Sequence, residues 1–231
     1  MKSPIILALD TKDFETADSW ISATKESVEV FKIGLELFLK IGAEKTKQLK
    51  EKHDISLFLD LKLHDIPNTV AAAVESVSEI APKFLTIHAS GGSEMIKAAA
   101  KNSGNISITA VTILTSLSDA DLTSIGFSKG ALESAVNLAK LAVANGATSI
   151  VCSPFEVAAI RAKVNDDISL ITPGVRPADS EKGDQKRVTT PADAIASGAN
   201  YVVIGRPITS YANESLSAMT KRAAQILNQI I

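Results

Sequence analysis

Asp60 and Lys62 stand two residues apart in the run Leu57-Phe-Leu-Asp-Leu-Lys-Leu-His-Asp-Ile-Pro-Asn-Thr69, and Asp65 follows three residues after Lys62. The first seven residues alternate, so a β-strand puts Leu57, Leu59, Leu61 and Leu63 on one face and Phe58, Asp60 and Lys62 on the other. Two residues apart on a strand is roughly 6.5–7 Å between Cα atoms, near enough for an acid and a base to meet over one ligand. Two more charges end apolar runs in the same way: Asp10 shares a face with Ile6 and Ala8, and Lys32 with Val30. Mixed signs let a water-poor cavity hold several charges without a metal, each lysine offsetting the desolvation of an acid. Carboxylates beside a lysine favour its ammonium form, which is a proton donor, whereas Schiff-base chemistry needs the neutral amine. The plainer account makes these residues strand-end salt bridges that meet solvent. Four charges in register on adjacent strands, with Asp65 just beyond, favour a site. His64 reads as a turn or structural residue and His88 as a residue at the mouth, while Asp65 could equally cap a helix that begins near Pro67.

Such residues need elements that bring them together. The apolar spacing predicts strands at residues 5–10, 29–34, 55–63, 84–88, 106–114, 149–152, 169–172 and 201–204. Helices are predicted at 13–25, 35–51, 67–80, 94–101, 131–145, 155–164, 191–197 and 215–230, with 115–129 as a connection. Eight strand-helix units predict one domain over residues 1–231, an α/β fold of the (β/α)8 TIM barrel type. The alternative is a doubly wound open sheet, but no G-x-G-x-x-G follows the first strand. Barrel enzymes build their sites at the C-terminal ends of the strands, where Asp10, Lys32, Asp60 and Lys62 all fall.

The last two strands end in Thr172-Pro-Gly-Val-Arg176 and Ile204-Gly-Arg-Pro207, the place where such barrels often bind phosphate. Gly174 and Gly205 permit close backbone approach, and Arg206 can add a two-pronged contact to an anion. Taken alone, each is also an ordinary tight turn. The polar stretch 176–190, which carries Gln185, is expected to be a loop that closes over a phosphate.

Composition narrows the partner. The 231 residues carry a formal charge of -2 and no block of like charge, which offers nucleic acid no basic face. Cys152 is the only cysteine, so neither an intramolecular disulfide nor a cysteine-based metal motif is available; His53, His64 and His88 show no H-E-x-x-H spacing. The spacing suggests no metal. No apolar run reaches membrane-spanning length, and Met-Lys-Ser-Pro leads directly into an apolar strand without a secretion-signal core. The expectation is a cytoplasmic protein acting on a small molecule, with no membrane partner.

Six stretches carry a family resemblance: Ile6-Leu-Ala-Leu-Asp10, Phe31-Lys-Ile-Gly34, Asp60 through Thr69, Thr112-Ile-Leu-Thr-Ser116, Thr172 through Arg176, and Ile204-Gly-Arg-Pro-Ile208. In order, along nearly the whole chain, they resemble the free-standing bacterial type of orotidine 5'-phosphate decarboxylase. The D-x-K-x-x-D core alone points only to the wider superfamily; His64, Ile66, Pro67, Asn68 and Thr69 around it make the resemblance specific. It implies conversion of orotidine 5'-phosphate to UMP and CO2 in pyrimidine biosynthesis, without metal or cofactor. It implies that Lys62 protonates C6 of the pyrimidine and that Lys32, Asp60 and Asp65 complete the charged network. Asp10 and Lys32 would contact the ribose, Thr115 the pyrimidine side, and Gln185, Arg176, Gly205 and Arg206 the phosphate. A homodimer is implied too, with Asp65 and Thr69 reaching into the neighbour's site. Three readings compete: a Mg-dependent sugar-phosphate decarboxylase or aldolase of the same superfamily, which has an acid where Lys32 stands; a Schiff-base aldolase; and a nucleotide-binding barrel without catalysis.

Overall fold

Short β-branched and apolar runs form eight parallel strands: β1 (Ile5–Ala8), β2 (Val30–Gly34), β3 (Ser56–Leu63), β4 (Phe84–His88), β5 (Ser107–Val111), β6 (Ser149–Val151), β7 (Ser169–Thr172) and β8 (Tyr201–Ile204). This is a computed structural model, and it describes residues 3–177 and 189–231. Each strand pairs with the next, and Ile5 of β1 lies beside Val202 of β8, which closes the barrel and leaves no open edge. That pairing removes the open-sheet alternative. Helices Phe14–Thr24, Leu35–His53, Pro67–Val77, Gly92–Lys101, Ala131–Ala144, Val157–Arg161, Pro191–Ala196 and Leu216–Asn228 cover the outside. The result is the single-domain (β/α)8 barrel that the spacing predicts.

Alternation along each strand divides the core in two. Outward residues such as Leu7, Phe31, Leu59, Leu85 and Ile150 pack under the helices, while Ile6, Val30, Phe58, Phe84 and Ile171 meet inside the barrel. Phe58 and Tyr201 each make a T-shaped contact with Phe84, at 5.8 and 5.5 Å between ring centroids. On the β5–β6 side the filling is hydroxylic: Ser149 Oγ lies 2.5 Å from Thr109 Oγ1 and 3.0 Å from Ser107 Oγ. These interior side chains sit one layer below the strand ends, so the mouth has a packed floor.

The elements depart from expectation at their ends. β1 stops at Ala8 and β5 at Val111, so Asp10 lies just past its strand rather than in it. The helix expected at 155–164 contracts to Val157–Arg161. A helix Asp119–Ser124 interrupts the connection 115–129, started by a reciprocal cap in which Ser118 and Asp121 each bond the other's backbone. A four-residue helix, Arg206–Thr209, follows β8 directly. Gly42, with φ 74 and ψ 179, breaks the helical path within Leu35–His53.

Candidate active site

β3 does not run straight into the mouth. Leu59 pairs with Leu85 and Leu63 with Ile87, so β3 passes through two more residues than β4 over that span. The bulge puts Lys62 in the left-handed region, at φ 49. For a residue with a side chain this conformation is disfavoured by about 1–3 kcal/mol unless its surroundings hold it. The Lys62 backbone N–H donates to Thr86 Oγ1 at 2.8 Å, and Thr86 is fully buried on β4. Thr86 Oγ1 also lies 3.2 Å from Asp60 Oδ1 and 3.4 Å from Leu59 O.

The four strand-end charges come together as a row of alternating sign. Lys32 Nζ lies 3.2 Å from Asp10 Oδ1 and 3.7 Å from Asp60 Oδ2, and Lys62 Nζ lies 2.7 Å from Asp60 Oδ1. The Lys32, Asp60 and Lys62 side chains are only 12%, 15% and 31% exposed, against 65% for Asp10. Electrostatics are therefore strongest among the inner three, where water screens least, and Asp10 forms the solvent rim.

Two cavities open on either side of this row. One, of about 200 Å³, is bounded by Asp10, Gly34 and Glu36. The other, of about 190 Å³, has apolar walls from Phe58, Val111, Ile113, Val151 and Val203, with Thr115 at its rim. Lys32, Asp60 and Lys62 line both. Polar groups bound the first cavity and apolar side chains the second, which suits a ligand with a polar part and an apolar part. Cys152 also faces the second cavity; burial and the nearby Glu156 push its thiol up to about 12. It is a neutral wall and not a nucleophile. Burial, then His64 and Lys62, hold His88 below the usual imidazole range, so at neutral pH it adds no further cation to the mouth. The His64 and His88 rings lie 5.3 Å apart.

On the other flank of β1, β8 delivers its end beside Asp10: a Cβ added at Gly205 would stand 3.5 Å from Asp10 Oδ2. Arg206 beside it is exposed, and Gly174 after β7 has φ 79. The loop after β7 is pinned at its base, where Arg176 N donates to Thr189 O at 3.1 Å and Val175 bridges Thr189. Gln185 and most of the expected closing loop lie outside the described residues.

Asp65 and Thr69 take no part in this constellation within one chain. Both are exposed, and Asp65 Oδ1 accepts the Ile66 N–H at 2.6 Å. The capping alternative for Asp65 does not hold: the residue before helix Pro67–Val77 is Ile66, and no side chain caps it. The sequence does little to mark Thr86 out. Its one signal is a hydroxyl at an inward position between Phe84 and His88, which strand propensity alone explains as an ordinary β-branched residue.

A family model described as "Orotidine 5'-phosphate decarboxylase / HUMPS family" matches residues 3–219. The chain is 50% identical over 209 residues to an orotidine 5'-phosphate decarboxylase of Thermobifida fusca, covering 90% of each chain. It is 43% identical over 231 residues to one of Haemophilus ducreyi, covering 98% of this chain and 100% of the relative. Among solved structures, that of orotidine 5'-phosphate decarboxylase from Lactobacillus acidophilus matches with a TM-score of 0.83 at 34% identity, over 98% of this chain and 100% of that one.

Proposed function

The chain belongs to the orotidine 5'-phosphate decarboxylase / HUMPS family, and we propose that it decarboxylates orotidine 5'-phosphate to UMP in pyrimidine biosynthesis without metal or cofactor, Lys62 donating a proton to C6. The observation that carries this reading is the row Asp10, Lys32, Asp60, Lys62, with its inner members shielded from water. As the C6–carboxylate bond breaks, its electron pair stays on C6 and CO2 departs. Lys62 Nζ–H supplies the proton to that carbon and is itself reprotonated from solvent. An ammonium fixed where carbanion charge develops stabilises the transition state more than the ground state.

Lys32 separates this chemistry from the Mg-dependent branch. Its ammonium lies between the Asp10 and Asp60 carboxylates, at 3.2 and 3.7 Å, and repels a divalent cation from the oxygens that would ligate it. In this reading Asp10 and Lys32 hold the ribose, and Thr115 meets the pyrimidine. Gly205, Arg206, Arg176 and Gln185 hold the phosphate. Binding energy from the phosphate, remote from C6, then orders the charged site. The exposure of Asp65, Ile66 and Thr69 supports a homodimer in which Asp65 and Thr69 complete the neighbour's site.

The test follows the ultraviolet absorbance of orotidine 5'-phosphate in the presence of a chelator. Turnover that persists in chelator supports the reading; silence there, with Mg2+-restored activity on a sugar phosphate, overturns it. The phosphate contact has its own check. Arg206→Ala is expected to lower kcat/KM by roughly 10- to 100-fold, the worth of a hydrogen bond to a charged group. Unchanged efficiency on the full nucleotide removes Arg206 from that role.

A further inference from the structure

We propose that Thr86 is a positioning residue for the decarboxylation, its single hydroxyl fixing both the backbone at Lys62 and the plane of the Asp60 carboxylate. The inference rests on the roles proposed above for Asp60 and Lys62. Thr86 touches neither cavity, so it acts only through those two residues.

The bulge creates the need. Between Leu59 and Leu63 the pairing with β4 shifts register, and within that irregularity the Lys62 N–H is met by a side chain of β4 and not by its backbone. A buried N–H without a partner is unfavourable, and here the acceptor is Thr86 Oγ1 at 2.8 Å. A hydroxyl carries one proton, so having accepted from Lys62 it donates once, either to Asp60 Oδ1 at 3.2 Å or to Leu59 O at 3.4 Å. The carboxylate is the shorter and the charged acceptor.

The bonds close a circuit. Lys62 N–H reaches Thr86 Oγ1, Thr86 reaches Asp60 Oδ1, and Asp60 Oδ1 receives Lys62 Nζ at 2.7 Å. Asp60 is thereby held with Oδ1 toward Lys62 and Oδ2 toward Lys32. The same hydroxyl supports the left-handed backbone from which the Lys62 side chain projects. Removing the hydroxyl frees the carboxylate to rotate and leaves the bulge without its acceptor.

Two substitutions separate this role from simple packing. Thr86→Val keeps the shape and removes the hydroxyl; Thr86→Ser keeps the hydroxyl and removes the methyl group. For Thr86→Val, kcat is expected to fall by about 10- to 100-fold, the scale of a small misplacement of reacting groups. The Kd for UMP, which reports the ribose and phosphate contacts, should stay within about threefold of wild type. Thr86→Ser should restore kcat to near wild type. Should Thr86→Val fail to fold, Thr86→Ala replaces it, since it removes the hydroxyl without leaving a branched apolar group against Asp60. A folded hydroxyl-free variant with wild-type kcat overturns the proposal, and so does a Ser variant as impaired as the Val or Ala variant. A wild type inactive on orotidine 5'-phosphate overturns the reaction reading and this inference together; an active wild type confines any failure to Thr86.

Discussion

Replacing Lys62 by alanine is expected to lower kcat/KM for orotidine 5'-phosphate by at least about 10⁴-fold, because the proposed role gives it two contributions that vanish at once. A positioned general acid contributes roughly 10²- to 10⁴-fold, and a fixed charge at the site of developing charge roughly 10²- to 10³-fold more. The fold should survive the change. Asp60 keeps Lys32 at 3.7 Å as a counter-ion, and the Lys62 side chain is already 31% exposed. UMP binding measured by calorimetry therefore stays close to wild type while CO2 release all but stops. A Lys62→Ala enzyme that keeps even one tenth of the wild-type rate would remove Lys62 as proton donor.

Asp60→Asn is expected to give the second large loss, about 10²- to 10³-fold in kcat/KM. Asp60 is the only carboxylate within ion-pair reach of both lysines among the described residues, one oxygen to each. Asparagine preserves the shape, and its amide oxygen can still accept from Thr86, so what disappears is the negative charge. Lys32 and Lys62 then face each other uncompensated in a site that water screens poorly. Lys32 retains Asp10, but that carboxylate is 65% exposed and its field is correspondingly weakened. Steady-state kinetics of Asp60→Asn beside wild type decide the point. A loss of less than about tenfold would mean that the two ammonium groups do not depend on Asp60 for their placing.

Most of this arrangement is legible in the residues themselves, for a definite reason. Strict alternation from Leu57 to Leu63 needs only the period of a strand to turn Asp60 and Lys62 inward, and the same rule brings Lys32 to the mouth. Tertiary partners decide what alternation cannot. Leu-Asp-Leu-Lys-Leu looks like continuous strand, yet β3 bulges at Lys62, held by a hydroxyl from β4 that is distant in sequence. Asp65 illustrates another limit: the sequence sets it beside the charged pair, but the turn carries its side chain out to solvent. A third case turns on a weak apolar signal. Ser118 and Asp121 have the spacing of a helix-starting cap, but helix Asp119–Ser124 buries only Leu122, so no apolar period announced it.

The closure between β1 and β8 also governs how the molecule comes into being. Synthesis proceeds from β1, yet one neighbour of β1 is the last strand to emerge. Until then a nascent sheet of seven strands carries two bare edges, each able to recruit another chain. Pairing elements so far apart along the chain is intrinsically slow, which lengthens that exposure. Asp10 and Gly205 meet across this seam, so the mouth of the barrel takes its final shape only when the last strand zips against the first.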